Sequence, residues 1–237
     1  MSRIENRGTK TILAIGDLHA PFMHQDTVAF LKWVVKKHKP NVVVQMGDEI
    51  DAHALSDYDT DPDGMSPGDE LKAGIEQLQE IYKLFPDTLV CTSNHTARPY
   101  RKAFKHGIPR AFLREYGEFL EAPKGWQWAD TWEVDGILFE HGEGFSGRDA
   151  AIKAAMANMQ STVIGHVHSF AGVQYSANPR HLLFGFNVGC LIDVDAYAFA
   201  YGKKHKSKPI IGVGLIVKGV PQFIPMLLDR HGRWIGR

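Results

Sequence analysis

Apolar residues in this chain come in short, β-branched runs, and most runs stop at a Gly, an Asp or a His. Thr11–Gly16, Asn41–Met46, Thr88–Thr92, Ile137–Glu140 and Ser161–Ile164 each have the length and composition of a buried strand. Between them the spacing turns helical. Val28, Leu31, Val34 and Val35 share one face of Asp26–Lys39, with Asp26 placed to cap its start and Pro40 to stop it. Asp69–Phe85 and Arg148–Met159 read as two further amphipathic helices. Strand, helix, strand in succession predicts βαβ units and a parallel sheet covered on both faces. From 97 to 133 the pattern becomes helical, aromatic and basic, an insert with a helix over Arg110–Glu121 and the pair Trp126 and Trp128. The rest, with His181–Asn187, Ile211–Val217 and Gln222–Met226, reads as antiparallel strands joined by turns. No repeat or linker interrupts the chain, so a single α/β domain over 1–237 is expected.

Composition narrows this. At 237 residues and 44% hydrophobic, the chain can bury one large core. Lys+Arg and Asp+Glu both number 27, so net charge supplies no overall attraction to nucleic acid or membrane. Two local basic stretches remain: Arg98, Arg101, Lys102, Lys105 and His106 with Tyr100 and Phe104 between them, and Lys203, Lys204, His205, Lys206 and Lys208. Either can track a nucleic-acid backbone, and either can be a solvated face. The thiols Cys91 and Cys190 sit in apolar contexts, as buried thiols do in a reducing compartment. The N-terminus has no apolar signal segment, and the longest apolar run, Ile210–Val217, is too short to span a bilayer. A cytoplasmic protein without a membrane partner is expected; no feature sets an oligomeric state.

The chemistry sits where the strands end. In an extended backbone residues i and i+2 point the same way, so His166 and His168 can face one cavity. Imidazole suits transition metals, and these two look like half of a metal site. Carboxylates and further donors follow other predicted strands: Asp17-Leu18-His19, Gly47-Asp48-Glu49-Ile50-Asp51, Asn94-His95 and the lone His141. Strand ends are where open α/β sheets form their crevices. Singly, each dipeptide would pass for a turn in a chain with 12 His residues. Their common position is what makes them a candidate site.

In this order, Asp17-x-His19, Gly47-Asp48-x-x-Asp51, Asn94-His95, His141 and Gly165-His166-x-His168 resemble the calcineurin-like metallophosphoesterases, of the compact type found in bacteria and phages. Asn187-Val188-Gly189-Cys190 is similar to a turn that often follows in that family. The resemblance implies a two-sheet β-sandwich flanked by helices, holding two divalent transition-metal ions, Mn²⁺ first among Mn, Fe, Zn and Ni. It implies one ion on Asp17, His19 and His168, the other on Asn94, His141 and His166, and Asp48 bridging them. It further implies a metal-bridging hydroxide as nucleophile, His95 as general acid and Asp51 orienting the His95 imidazole. The set makes chemical sense, because two cations roughly 3.5–4 Å apart neutralise a phosphoryl group and activate water.

Some residues depart from the family pattern. Ser93-Asn94-His95-Thr96 stands where Gly-Asn-His-Asp or Gly-Asn-His-Glu is common. Ala52 follows Asp51 where protein Ser/Thr phosphatases carry Arg, which argues against a phosphoprotein substrate; Arg98 is the nearest basic residue to bind a substrate phosphate. His53 reads as structural. Asp59-x-Asp61-x-Asp63-Gly64 with Glu70 has the spacing of a calcium loop, but Pro62, Pro67, Ser66 and the lack of a second hand favour an acidic flap that caps the helix from Asp69. The expected function is a two-metal phosphodiesterase acting on a nucleotide or nucleic acid. A phosphomonoesterase is the alternative, and an inactive binding scaffold is disfavoured because every ligand position is filled.

Overall fold

A computed structural model describes residues 8–57, 63–197 and 206–236. It contains β1 (Thr11–Ile15), α1 (Thr27–His38), β2 (Val42–Gln45), α2 (Pro67–Leu84), β3 (Asp87–Cys91), α3 (Arg98–Lys105), α4 (Tyr116–Phe119), β4 (Gly125–Ala129), β5 (Thr131–Val134), β6 (Ile137–Glu140), α5 (Ala150–Asn158), β7 (Thr162–Ile164), β8 (Gly172–Ala177), β9 (Leu182–Asn187), α6 (Val194–Tyr197), β10 (Gly212–Val217) and β11 (Val220–Pro225).

Two sheets form among the described residues. One runs in the order β11-β10-β1-β2-β3-β4, the other β5-β6-β7-β9-β8. β1 through β4 are parallel neighbours, as are β6, β7 and β9, while β5, β8, β10 and β11 pair antiparallel at the flanks. The period of two in β1 shows how one short strand serves two cores. Ile12 and Ala14 pack with Val44, Phe139, Val163 and Phe186 between the sheets. Leu13 and Ile15 point the other way, under Phe30, Leu31 and Val34 of α1 and Leu78 and Ile81 of α2. α5 covers the outer face of the second sheet through Ala150, Ala151 and Ala154 against Ile164. The result is a mixed α/β domain, a β-sandwich with helices on its outer faces. No helix among the described residues is long and apolar enough to cross a membrane.

Several local expectations change. Asp26 occupies the N-cap position of α1, but its side chain makes no cap hydrogen bond. Arg233 takes the carboxylate in a two-pronged contact, Nε to Oδ2 at 2.8 Å and Nη2 to Oδ1 at 2.6 Å, and the Trp234 N–H donates to Oδ2. The Arg233 pair holds the Asp26 carboxyl down to about 2. Its folded pKa lies below the unfolded value, so the stabilisation is complete above about pH 4 and is lost as pH falls through about 2. Arg233→Met is therefore expected to lower the melting temperature at neutral pH, with the deficit fading in melts run towards pH 2.

The stretch 97–133 is helical only as far as Phe119. Gly125–Ala129 and Thr131–Val134 are strands, one in each sheet. Within Arg110–Glu121, only a short 3₁₀ turn and the four-residue α4 form, so the long helix expected there is absent. Trp126 and Trp128 pack rather than stand free. Trp126 lies edge-on to Tyr82 and donates to the Phe85 carbonyl, and Trp128 stacks on Tyr116. α2 starts at Pro67 with Ser66 as its cap, accepting from Asp69 N–H. Asp59, Asp61 and Pro62 of the acidic loop lie outside the described residues, as do Lys203, Lys204 and His205. Glu70, which would supply the bidentate ligand of a calcium loop, is buried and accepts from the backbone N–H groups of His53 and Ala54 instead.

Candidate metal centre

Parallel strands end together, so the loops after β1, β2, β3, β6 and β7 open on one side of the sandwich. Backbone hydrogen bonds lace them. Leu18 N and His19 N donate to the Asp48 carbonyl, Ala20 N to Glu49, Asp51 N to Ala20, and Gly165 N to His141. Three donor residues, His19, Asp48 and His166, adopt φ between 48° and 63°. A non-glycine residue held there costs about 1–3 kcal/mol, and such strain collects at functional sites. Each sharp turn swings a side chain back over the strand ends. Gly47, at φ 97°, precedes Asp48; a Cβ there would lie 2.5 Å from Ser93 Cβ and 2.9 Å from His141 Nδ1. Gly47→Ala should thus destabilise the fold by more than about 1 kcal/mol, read as a lower midpoint in urea unfolding.

Two donor sets converge and share Asp48. Asp17, His19, Asp48 and His168 bring ligand atoms within 4.8 Å of one another, and so do Asp48, His141 and His166. Asn94 joins the second set, its Oδ1 2.7 Å from His141 Nε2. The chemistry of these sets fits cations. His141 Nδ1 lies 2.8 Å from the Met46 carbonyl, which can only accept, so in the neutral ring Nδ1 carries the proton and Nε2 a lone pair. That lone pair faces Asn94 Oδ1 and, at 3.4 Å, Asp48 Oδ2, two more acceptors. In the first set His19 Nδ1 donates to Asp51 Oδ1 at 2.6 Å, which turns its Nε2 lone pair towards Asp48 Oδ2 at 3.5 Å. Asp17 Oδ2 accepts from His166 N–H and lies 2.7 Å from His168 Nε2, while its buried Oδ1 has no hydrogen-bond partner among the described residues. Acceptors aimed at acceptors in a buried space repel one another, and a positive ion between them removes the repulsion.

The charges agree. Burial disfavours the ionised form of Asp48, but the surrounding His141, His95 and His19 outweigh it and hold the carboxyl far below its usual range. Burial likewise opposes ionisation of Asp51, and its contacts to His19 and His95 win. For His95, burial pulls the pKa down while Asp48 and Asp51 push harder and raise it, with Arg98 working against them.

Asp51 does more than expected: its Oδ1 sits 2.6 Å from His19 Nδ1 and 2.9 Å from His95 Nδ1, and its carbonyl is 2.8 Å from His95 Nδ1. One carboxylate therefore orients two imidazoles. Arg98 reaches the site, but its guanidinium donates to the carbonyls of Asp51 and Ala52 and to His95 Nε2, at 2.7, 3.2 and 3.2 Å. His53 is buried on a short 3₁₀ turn after Asp51. A cleft of about 350 Å³ reaches Asn94 and His166 of the second set and is lined further by Leu55, Arg98, Arg101 and Lys102 among others. Across its mouth Arg101 pairs with Glu143 and Lys102 with Asp57.

Sequence reasoning missed Ser93, whose Oγ accepts from Asp48 N–H at 2.7 Å, and Asn187. The latter donates to the Val167 carbonyl between the two His and accepts from Gly189 N–H. Ser93 left only its place beside Asn94 as a signal, and Asn187 its place in the turn similar to that of the family, neither of which gives the contact.

With this geometry in view, comparison with known families is decisive. The model of the calcineurin-like phosphoesterases matches residues 10–188. The chain belongs to that family. Its match spans every donor described above, from Asp17 to His168, and stops just past Asn187. Among solved structures, vacuolar protein sorting 29 from Cryptosporidium parvum is similar at 12% identity and TM-score 0.43, over 89% of this chain and 86% of that one. Vps29 from Chaetomium thermophilum is similar at 16% identity and TM-score 0.43, over 95% and 92%. The nuclease MPE from Pseudomonas putida is similar at 13% identity and TM-score 0.35, over 89% and 86%. No curated protein matches the chain.

Proposed function

We propose that this calcineurin-like protein is a two-metal phosphodiesterase acting on a nucleotide or nucleic acid, its ions held by Asp17, His19 and His168 on one side and Asn94, His141 and His166 on the other. The observation that carries the reading is Asp48, shared by two donor sets, the second of which reaches a cleft through Asn94 and His166. When bound, such a pair of divalent ions supplies Lewis-acid stabilisation of a phosphoryl group and lowers the pKa of water towards neutrality. The chain's own residues do the rest. Asp48 fixes the spacing of the two sets, and Asp51 holds the imidazoles of His19 and His95 in the tautomer that protonates Nδ1.

His95 is the general acid of this reading. Its raised pKa favours a protonated ring, and its Nε2 lies on the Arg98 side of the site. Arg98 can only donate, so Nε2 accepts as long as that contact lasts. An incoming phosphate oxygen competes for the Arg98 guanidinium. Its capture would make Arg98 a substrate-binding residue and free Nε2 to take up a proton from solvent, which the raised pKa favours, and pass it to the leaving oxygen.

The charge balance of the cleft supports a diester. Arg101 and Lys102 are already balanced by Glu143 and Asp57. A phosphomonoester carries close to two negative charges at neutral pH and a diester only one, so the diester makes the smaller demand on such a cleft. The basic residues near it also suit a polynucleotide backbone. The test is hydrolysis of bis-p-nitrophenyl phosphate against p-nitrophenyl phosphate by metal-stripped protein reloaded with Mn²⁺. A preference for the diester is expected, and a preference for the monoester would transfer the assignment to a phosphatase.

A further inference from the structure

Glu49 is a carboxylate at a place where no catalytic or ligand role has been given to one. It follows Asp48 directly, is fully buried, and burial raises its pKa. Its two oxygens serve two different elements. Oε2 accepts from Thr96 Oγ1 at 2.7 Å, and Oε1 accepts from Trp128 Nε1 of β4 at 2.6 Å. Thr96, itself buried, is the next residue after Asn94-His95. The same two segments are joined twice more, by Asp48 N–H to Ser93 Oγ at 2.7 Å and by His95 N–H to Asp48 Oδ1 at 3.0 Å. The turn from Ser93 to Thr96 is thus pinned across residues 48 and 49 at both of its ends, and Glu49 is the pin at the far end. A buried acid is a costly way to satisfy an indole N–H, for which any carbonyl would serve. Accepting from two donors on separate elements, with one rigid planar group, is what a carboxylate adds.

We propose that Glu49 is a positioning residue: by holding Thr96 and Trp128 together behind Asp48, it sets where Asn94 and His95 face the phosphoryl group. The inference rests on the proposed metal and acid roles of Asn94 and His95. It acts through the turn, and Glu49 itself touches neither ion nor substrate. Glu49→Gln can keep both contacts, since its oxygen accepts from Trp128 Nε1 and its NH₂ donates to Thr96 Oγ1, whereas Glu49→Leu keeps much of the volume and removes both acceptors. Thr96→Val removes only the Thr96 contact and leaves that of Trp128.

The experiment is calorimetric titration of metal-stripped protein with Mn²⁺ alone, on wild type, Asn94→Ala, Glu49→Leu and Thr96→Val. Wild type is expected to bind two ions, and Asn94→Ala marks which event belongs to its donor set. Glu49→Leu should weaken that event by about 10–100-fold, the range seen when groups supporting metal ligands are removed, and Thr96→Val should weaken it less. Turnover of bis-p-nitrophenyl phosphate should lose kcat with little change in KM. Where Glu49→Leu does not fold, Thr96→Val decides. Folded variants that bind both ions and turn over as wild type does would overturn the inference. Wild type that binds no Mn²⁺ would instead overturn the two-metal reading, and this inference with it.

Discussion

Replacing Asp48 by Asn is expected to abolish hydrolysis and to empty both donor sets of metal. The substitution conserves volume, so packing between the strand ends should survive. It removes a carboxylate that faces His19 and His141 together. An amide offers a single neutral oxygen to two positions, and its NH₂ places protons where a lone pair is needed. His95 N–H, which donates to Asp48 Oδ1, keeps an acceptor only if the amide oxygen turns that way, and the remaining face towards the imidazoles is then NH₂. The lost charge also removes a main support for the raised pKa of His95. Elemental analysis after Mn²⁺ loading, with bis-p-nitrophenyl phosphate turnover, reads the outcome. Full metal content with full activity in Asp48→Asn would contradict the shared-ligand site.

His95→Ala should leave metal binding intact and slow turnover, in a manner that depends on the leaving group. His95 is not among the residues that close on either proposed ion; its Nδ1 is taken by Asp51 and its Nε2 faces Arg98. Removing a general acid typically costs about 10²–10⁴-fold when the leaving oxygen needs a proton. Nitrophenolate departs without much help, while the alkoxide of a nucleoside does not. The loss should therefore be near the top of that range for a dinucleotide and far smaller for bis-p-nitrophenyl phosphate. Equal slowing of both would argue that His95 positions something else, with Arg98 and the Asp51 carbonyl as the first candidates.

The strand ends were legible because the chemistry there is local. Gly47-Asp48, Asn94-His95 and Gly165-His166-x-His168 each combine a residue that lets the backbone turn with one that carries a donor, and each follows an apolar run. The model match and the two-sheet fold agree with the family that those motifs resemble. β1, β2, β3, β6, β7, β9, β10 and β11 all fall within a residue or two of the apolar runs that predict them. The strands that escaped are those held by their neighbours. Trp126 and Trp128 already alternate with a strand's period, but the basic and aromatic residues before them obscure it, and only pairing with β3 draws the segment into the sheet. β8 is half exposed and polar, and its pairing with β9 sustains it. The contacts between loops were equally hidden. Nothing in the order of residues says that Asp51 would serve His19 as well as His95, that Arg98 would bond to two carbonyls, or that Asp26 would meet Arg233 across 207 positions. Such contacts depend on how the loops fold over one another, which the alternation of apolar and polar residues does not encode.

The central claim is that two donor sets sharing Asp48 hold two ions and that hydrolysis needs both. It is tested most directly by stripping the protein, returning Mn²⁺ in steps, and recording bound metal per chain alongside hydrolysis of bis-p-nitrophenyl phosphate. The account predicts two ions per chain, with activity rising as the second one binds. Full activity at one ion per chain, or saturation with a single ion, would contradict it.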